Sequence, residues 1–250
     1  MDYIIVVILG LVIGSFLNVC IYRIPREESI AYPPSHCGNC NRKLKPLDLF
    51  PIFSYVFLKG KCRYCKDKIS IRYPLIESLN GILYLIIYIK FGLTILSLKY
   101  CILASVLIVI GVIDFETQFV YTSTTIFAGL VGVIFIIAQA LSNKAVSIDF
   151  IFGGLIGFGI IGLIVFITHG MGEGDIEIAA FCGLFLGGRL ILLNLFIAII
   201  IGGIAGIIVL VLKLKSARDK IAFGPFIGIG TIVSMLYGNE LIKMYLKFFE

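Results

Sequence analysis

The sequence predicts an all-α protein that crosses a membrane several times and carries a small cytoplasmic loop domain. Of its 250 residues, 60% are hydrophobic and 14% are charged, and the mean hydropathy is +1.08. A soluble domain has about 25% charged residues, so water is not the main solvent of this chain. Apolar runs near the roughly 20 residues that cross a bilayer recur along the sequence, and 27 glycines favour closely packed membrane helices.

Eight apolar runs are predicted to form about eight transmembrane helices. Their bounds are 3–21, 75–90, 98–114, 120–141, 149–168, 176–189, 190–212 and 221–238. The first run is not a cleaved signal peptide, because its positive residues, Arg23 and Arg26, follow the apolar stretch instead of preceding it. We therefore expect a first transmembrane helix at 1–21, a cytoplasmic loop domain at 22–74 and a transmembrane core at 75–250.

The positive charge is concentrated in two loops and predicts the topology. The net charge is +6; eleven Lys and Arg lie between Arg23 and Arg72, and four lie between Lys213 and Lys220. A basic patch can also bind nucleic acid. In a chain this apolar, basic loops more often stay on the cytoplasmic side. We expect no nucleic-acid partner and a location in the bacterial inner membrane, with the lipid bilayer as the main surroundings.

Four of the seven cysteines form a pattern typical of a metal site. Cys37 and Cys40 form one C-x2-C turn, and Cys62 and Cys65 form a second after a 21-residue spacer. Four thiolates satisfy tetrahedral zinc and leave no open position, so the pattern predicts structural zinc in the loop domain. Two local disulfides or an iron–sulfur site are the alternatives. His36 is a less favoured ligand, since four sulfurs are available.

Two aspartates at predicted membrane boundaries are candidate catalytic residues. Asp114 ends the third span, and Asp175 precedes the sixth. In the predicted topology both lie at the cytoplasmic side at similar depth, so they can meet. Two carboxyl groups in one dry site share a proton, which leaves one to activate water and one to polarise a carbonyl. Alternatively, Asp175 caps a helix N-terminus and Asp114 marks the membrane interface.

Several motifs resemble those of one family of membrane proteases. The segment Gly170-Met171-Gly172-Glu173-Gly174-Asp175 resembles the G-x-G-D motif of intramembrane aspartyl peptidases. Four further features narrow the resemblance to the type IV prepilin leader peptidases. They are the segment Gly14–Val19 with Arg23 and Pro25, the segment Arg72-Tyr73-Pro74 with Glu77, the segment Phe223-Gly224-Pro225-Phe226, and the cysteine quartet. The matching motifs span residues 14 to 226 in order.

The resemblance implies an activity and a set of site residues. Family members cleave type IV prepilins, pseudopilins or competence pilins after a glycine at the cytoplasmic face, and many then methylate the new N-terminal amine with S-adenosylmethionine. By this resemblance 75–250 is an aspartyl peptidase core. Asp114 and Asp175 match the catalytic pair, and Cys37, Cys40, Cys62 and Cys65 match the metal ligands.

Three further residues are candidate substrate contacts. Gly172 and Gly174 lie next to Asp175 and have no side chains, so an extended substrate backbone or another helix can approach closely. Glu77 is a candidate for holding the amine that cleavage exposes. The simpler interpretation of Glu77 is an acidic residue that stabilises a helix N-terminus.

The chain departs from the family pattern at two places. Members usually have Ile-Pro-Asp where this chain has Val120-Tyr121-Thr122, and lysine where it has Glu177. Neither difference removes a catalytic carboxyl group. The alternative function is an ion- or proton-coupled transporter with a regulatory zinc loop, since intramembrane acids and glycine-broken helices suit transport as well.

Overall fold

The computed structural model describes residues 1–141, 144–168, 170–212 and 222–248. Within these ranges the regular structure is helical apart from two isolated β-bridges, which confirms the predicted all-α fold class. The α-helices are α1 (Asp2–Arg23), α2 (Phe53–Phe57), α3 (Arg72–Phe91), α4 (Ile95–Thr117), α5 (Thr122–Ala140), α6 (Lys144–Thr168), α7 (Glu173–Leu186), α8 (Gly188–Val211) and α9 (Gly224–Lys247).

Seven of the described helices are long and apolar enough to cross a membrane: α1, α3, α4, α5, α6, α8 and α9. The predicted span at 176–189 corresponds to α7, which has 14 residues. At 1.5 Å per residue α7 is about 21 Å long, shorter than the roughly 30 Å hydrocarbon core of a bilayer. A glycine follows the helix, and Gly187 has a positive φ of 82°. The second basic loop, at 213–220, lies outside the described residues.

Helix α9 differs most from its predicted bounds. It continues to Lys247, whereas the apolar pattern ends at residue 238. The extension contains three charged residues, Glu240, Lys243 and Lys247, so a hydropathy criterion stops too early, although most of its residues are good helix formers.

The chain forms two compact units, Met1–Val109 and Ile110–Glu250. In the first unit α1 packs along α3 through glycines on α1. A Cβ atom at Gly14 would lie 2.7 Å from the Cα of Glu77, so the two backbones approach more closely than a side chain permits. The Asn80 side chain donates a hydrogen bond of 2.7 Å to the Gly10 carbonyl and fixes the register. The loop domain expected at 22–74 lies in this unit.

In the second unit α7 is the central helix. It contacts α5, α6, α8 and α9, and Ile178, Ala179 and Cys182 are fully buried. The closest approach is to α6, where a Cβ atom at Gly157 or Gly153 would overlap the α7 backbone. Because α7 is enclosed by other helices, its first turn is held in a fixed position.

The α6–α7 contact makes a prediction about stability. Gly157→Ala should lower the free energy of unfolding by about 1–3 kcal/mol, because the added methyl group meets the Ala179 backbone and overpacking costs this much. Gly159 lies on the same helix with no heavy atom within 4 Å of the equivalent position. Gly159→Ala should therefore be neutral or slightly stabilising. Thermal unfolding in detergent, followed by circular dichroism, measures both; equal losses would contradict the tight contact.

Candidate active site and metal centre

Asp114 is held by the N-terminus of another helix. It lies at the C-terminal end of α4 and is buried, with 4% of its surface exposed. Its Oδ2 atom accepts a hydrogen bond of 2.9 Å from the N–H of Gly224, the first residue of α9. That N–H has no partner within its own helix, and the helix dipole favours a negative charge at this point. A Cβ atom at position 224 would lie 2.7 Å from the same oxygen, so glycine permits the contact.

Asp175 lies in the first turn of α7 and is 5% exposed. Its Oδ2 atom accepts a hydrogen bond of 3.2 Å from the N–H of Gly172, the N-cap residue. The carboxylate of Asp175 therefore does bind the N-terminus of α7, as the capping alternative expects. Capping alone does not require burial, however, because a capping carboxylate is usually solvated.

The two aspartates interact with each other. Ile178, one turn after Asp175, lies beside Gly224, so the first turn of α7 and the start of α9 are adjacent. Burial, and next the negative charge of Asp114, raise the pKa of Asp175 to about 7, against the opposing effect of the Gly172 N–H. A carboxyl group with such a pKa can donate or accept a proton near neutral pH. The structure thus brings the two predicted residues together in one unit.

The residues that depart from the family pattern lie around α7. A Cβ atom at Gly174 would overlap the Val120 side chain, which precedes α5. Glu177 accepts a hydrogen bond from the hydroxyl group of Thr125 on α5. Residues i and i+2 of a helix point to nearly opposite sides, and accordingly Glu177 faces α5 while Asp175 interacts with Asp114. A substrate contact by Gly172 or Gly174 stays a prediction.

Glu77 does not lie in the first turn of its helix. Helix α3 begins at Arg72, two residues before Pro74, so the helix-dipole interpretation of Glu77 loses its basis. The side chain is 6% exposed, and its Oε2 atom accepts a hydrogen bond of 2.7 Å from the N–H of Ile52. Glu77 therefore ties the loop domain to α3.

The four cysteine sulfurs converge in the first unit, all within 4.8 Å of one another. Two equivalent turns present them. In each turn the first cysteine forms backbone hydrogen bonds across the turn, and the residue after the second cysteine, Asn41 or Lys66, has a positive φ. The β-bridges His36–Lys43 and Lys61–Lys68 close the turns. The repeated geometry explains how a loop with little core of its own places four thiols together.

The spacing of the sulfurs fits a metal ion better than a disulfide. Zinc–sulfur bonds of about 2.3 Å in a tetrahedron put the sulfurs about 3.8 Å apart, and the Sγ atoms of Cys37 and Cys65 are 3.8 Å apart. All seven cysteines are free. The backbone N–H groups of Cys65 and Tyr64 lower the pKa of Cys62 to about 7 and so favour its thiolate. The cluster can hold a metal ion, and His36 is not part of it.

Sequence reasoning missed two residues of the site. Gly224 was noted only as part of the motif Phe223–Phe226, although its N–H binds Asp114; the Gly-Pro pair at a helix start was the available signal. Thr125, the partner of Glu177, has no signal in the sequence, because its role depends on how α5 and α7 pack.

Two family models match consecutive parts of the chain. Residues 8–91 match the Bacterial Peptidase A24 N-terminal domain, and residues 101–207 match the Type IV leader peptidase family. A prepilin leader peptidase/N-methyltransferase of Bacillus subtilis is 33% identical over 245 residues, which cover 96% of each chain. Proteins of the same name from Neisseria gonorrhoeae and Pseudomonas aeruginosa are 32% and 28% identical, over 87% and 97% of this chain and 84% and 92% of their own. No solved structure gives a significant match.

The fold and the site define a multi-pass membrane protein with a pair of interacting buried aspartates. The chain belongs to the type IV leader peptidase family. This membership confirms the family predicted from the motifs and, with the seven apolar helices, places the chain in the bacterial inner membrane. It gives no support to the transporter alternative.

Proposed function

We propose that this protein is an aspartic endopeptidase that removes the leader from type IV prepilins or pseudopilins after a glycine. We further propose that it methylates the new N-terminal amine with S-adenosylmethionine. The interacting pair of buried aspartates carries the peptidase proposal. The names of the relatives from Bacillus subtilis and Pseudomonas aeruginosa support both activities.

The environments of the two carboxyl groups suggest a division of roles. Asp114 receives the shorter hydrogen bond, from the N-terminus of α9, which favours its ionised form. Asp175 holds a proton below pH 7. Asp114 then accepts a proton from water, whose oxygen attacks the glycine carbonyl carbon, while Asp175 donates a hydrogen bond to the carbonyl oxygen. The peptide C–N bond breaks, and the leaving amine takes the proton that Asp114 accepted from water.

The substrate passes Gly172, the N-cap residue of α7, in this proposal. Gly172 leaves space beside Asp175 for an extended peptide backbone, whereas the Val120 side chain fills the space beside Gly174. The site faces the cytoplasm, because the loop that follows α1 carries most of the positive charge of the chain.

The cysteine cluster holds a zinc ion with a structural role. Four protein sulfurs complete a tetrahedral shell, so the ion binds no substrate and contributes by stabilising the loop domain. A loop of about 50 residues builds little core without such a ligand.

The catalytic pair predicts a specific loss of activity. Asp114→Asn and Asp175→Asn should each abolish cleavage of a prepilin, because an amide neither accepts the water proton nor donates the proton of a carboxyl group. Either change should cost about as much as both together, as for residues that act as a unit. Cleavage is measured by mass spectrometry with purified protein and a prepilin peptide.

A control variant shows whether cleavage is lost because catalysis fails or because a carboxylate that binds a helix N-terminus has been removed. Asp149 accepts a hydrogen bond from the N–H of Gly188, the first residue of α8, but it is exposed. Asp149→Asn should retain cleavage, and Glu177→Gln should be much milder than either catalytic change. Methylation of a pre-cleaved substrate should survive both aspartate changes. Near wild-type cleavage by Asp175→Asn would contradict the aspartyl mechanism.

The pKa of Asp175 predicts the pH dependence of cleavage. The active form has Asp175 protonated, and this form is lost as the pH rises through about 7. The kcat/KM for prepilin should therefore fall roughly tenfold for each pH unit above that value. Glu177→Gln should leave the alkaline limb nearly in place, since Glu177 is engaged by Thr125. A profile that stays flat or rises above pH 7 would refute the assignment of the acid.

The metal proposal predicts the effect of cysteine substitutions. Cys40→Ser or Cys65→Ser should lower the zinc content and the thermal stability, because structural zinc contributes about 10–16 kcal/mol of apparent binding energy in peptides. Cys101→Ser, outside the cluster, should leave the zinc content unchanged. Elemental analysis of purified protein measures the zinc. Wild-type protein with disulfides and no metal would disprove the site.

A further inference from the structure

A buried group of polar side chains joins α7, α8 and α9 in the second unit. The hydroxyl group of Thr231 on α9 donates a hydrogen bond of 3.3 Å to the Sγ atom of Cys182 on α7. The same hydroxyl group accepts a hydrogen bond of 2.9 Å from the side-chain amide of Asn194 on α8. All three side chains are fully buried, and the peptidase mechanism uses none of them. We call Cys182, Asn194 and Thr231 the Thr231 network.

The Thr231 network lies on the helix faces that hold the catalytic groups. Residues seven apart on a helix return to nearly the same face and lie about 10.5 Å apart along the axis. Cys182 follows Asp175 by seven residues on α7, and Thr231 follows Gly224 by seven residues on α9. Between these levels Ile178 of α7 lies against Gly224. The network therefore joins the face that carries Asp175 to the face whose helix end binds the other aspartate.

Close backbone contacts lie at the same level as the network. A Cβ atom at Gly230 would overlap the Asn194 side chain and lie 2.7 Å from the Asn194 carbonyl oxygen, so α8 and α9 approach as closely as glycine permits. The Thr231 hydroxyl group is both donor and acceptor, so it holds three helices at once. Side-chain hydrogen bonds of this kind hold membrane helices together. The relative position of α7 and α9 therefore depends on this level as well as on the contact at Gly224.

We propose that Thr231, with Cys182 and Asn194, is a positioning residue of the peptidase. It holds α7 and α9 at the spacing that keeps the carboxyl groups of Asp114 and Asp175 buried and close together. The inference rests on the proposed peptidase function and deepens it, because the network lies far from the loop that admits the substrate. Without the network, the start of α9 moves away from α7 and water reaches Asp175.

The positioning role predicts a change in the proton affinity of Asp175. Burial, and next the charge of Asp114, raise the pKa of Asp175 to about 7, and both effects weaken when α7 and α9 separate. Thr231→Val keeps the shape of the side chain and removes the hydroxyl group, so this pKa should fall. The active form has Asp175 protonated. The kcat/KM for prepilin should therefore stay near wild type at about pH 5 and be roughly tenfold lower at about pH 8.

The charged groups around α7 leave Asp114 as the partner that acts on Asp175. Glu116 and Glu173 are exposed, and Glu177 faces α5, which carries no charged residue. The charged residues of α6, α8 and α9 lie towards the opposite end of α7; they are Lys144, Asp149, Arg189, Glu240, Lys243 and Lys247. A shift of the alkaline limb in a Thr231 variant therefore reports on the aspartate pair.

Two control variants isolate the effect of the hydroxyl group. Thr231→Ser retains it and should keep the wild-type pH profile. Ser234→Ala removes a buried hydroxyl group one turn further along α9, where its Oγ atom has no hydrogen-bond partner among the described residues. This change should also leave the profile in place. A purely structural defect lowers the amount of active enzyme equally at every pH, so it does not move the alkaline limb.

Infrared spectroscopy of the purified full chain in detergent tests the proposal without requiring cleavage. The band of the protonated Asp175 carboxyl group, assigned by its loss in Asp175→Asn, is titrated in each variant. The midpoint for Thr231→Val should lie at a lower pH than the midpoints for wild type, Thr231→Ser and Ser234→Ala. Equal midpoints for Thr231→Val and Ser234→Ala would overturn the proposal.

Cys182→Ala decides the question if Thr231→Val fails to fold. It removes the acceptor of the Thr231 hydroxyl group and should move the midpoint in the same direction, whereas an unchanged midpoint would refute the positioning role. Cleavage of prepilin by wild-type protein is scored separately. Absence of cleavage contradicts the proposed function, whereas cleavage with the same pH profile in wild type and Thr231→Val contradicts only the positioning role.

Discussion

The constraint on which the second unit depends is the burial of two carboxyl groups, Asp114 and Asp175, close enough for the charge of one to raise the pKa of the other. An unpaired charge in apolar surroundings is costly, and two like charges are more so. The structure offsets this cost with helix N-termini: the first N–H of α9 binds Asp114, and the N-cap N–H of α7 binds Asp175. We propose that the two carboxyl groups share a proton, which leaves one as an acid and the other as a base.

This arrangement requires close approach of backbones, which explains the positions of several glycines. Gly224 brings a helix end against Asp114, and Gly157 lets α6 lie against α7, so that the first turn of α7 cannot move away. A short, enclosed helix suits this purpose better than a full transmembrane span. In the first unit the equivalent support comes from the cysteine cluster, which organises a loop too small to fold around its own core.

The sequence was most informative where a chemical requirement produces a recognisable pattern among residues that are close together in the chain. Hydropathy predicted the membrane helices, and the spacing of Cys37, Cys40, Cys62 and Cys65 predicted their convergence. The aspartate pair was found because a carboxylate in an apolar run is rare. Three other features depend on packing between distant segments, which periodicity does not encode. They are the contact of Gly224 with Asp114, the Thr125–Glu177 hydrogen bond and the buried Oδ1 atom of Asn18 that has no hydrogen-bond partner within the described ranges. Helix α9 was predicted too short because a hydropathy criterion stops at its charged end, and Glu77 was assigned to a first turn that it does not occupy because α3 begins at Arg72.

Hydrolysis of a prepilin peptide bond by the aspartate pair can be measured on its own. Purified wild-type protein is incubated with a synthetic prepilin peptide, and both fragments are identified by mass spectrometry. We expect a single cut after the glycine that precedes the hydrophobic segment, with water added across the bond and no requirement for S-adenosylmethionine. When S-adenosylmethionine is present, the mature fragment should gain the mass of one methyl group. An intact peptide, or cuts scattered along the peptide, would show that the aspartate pair does not act as proposed.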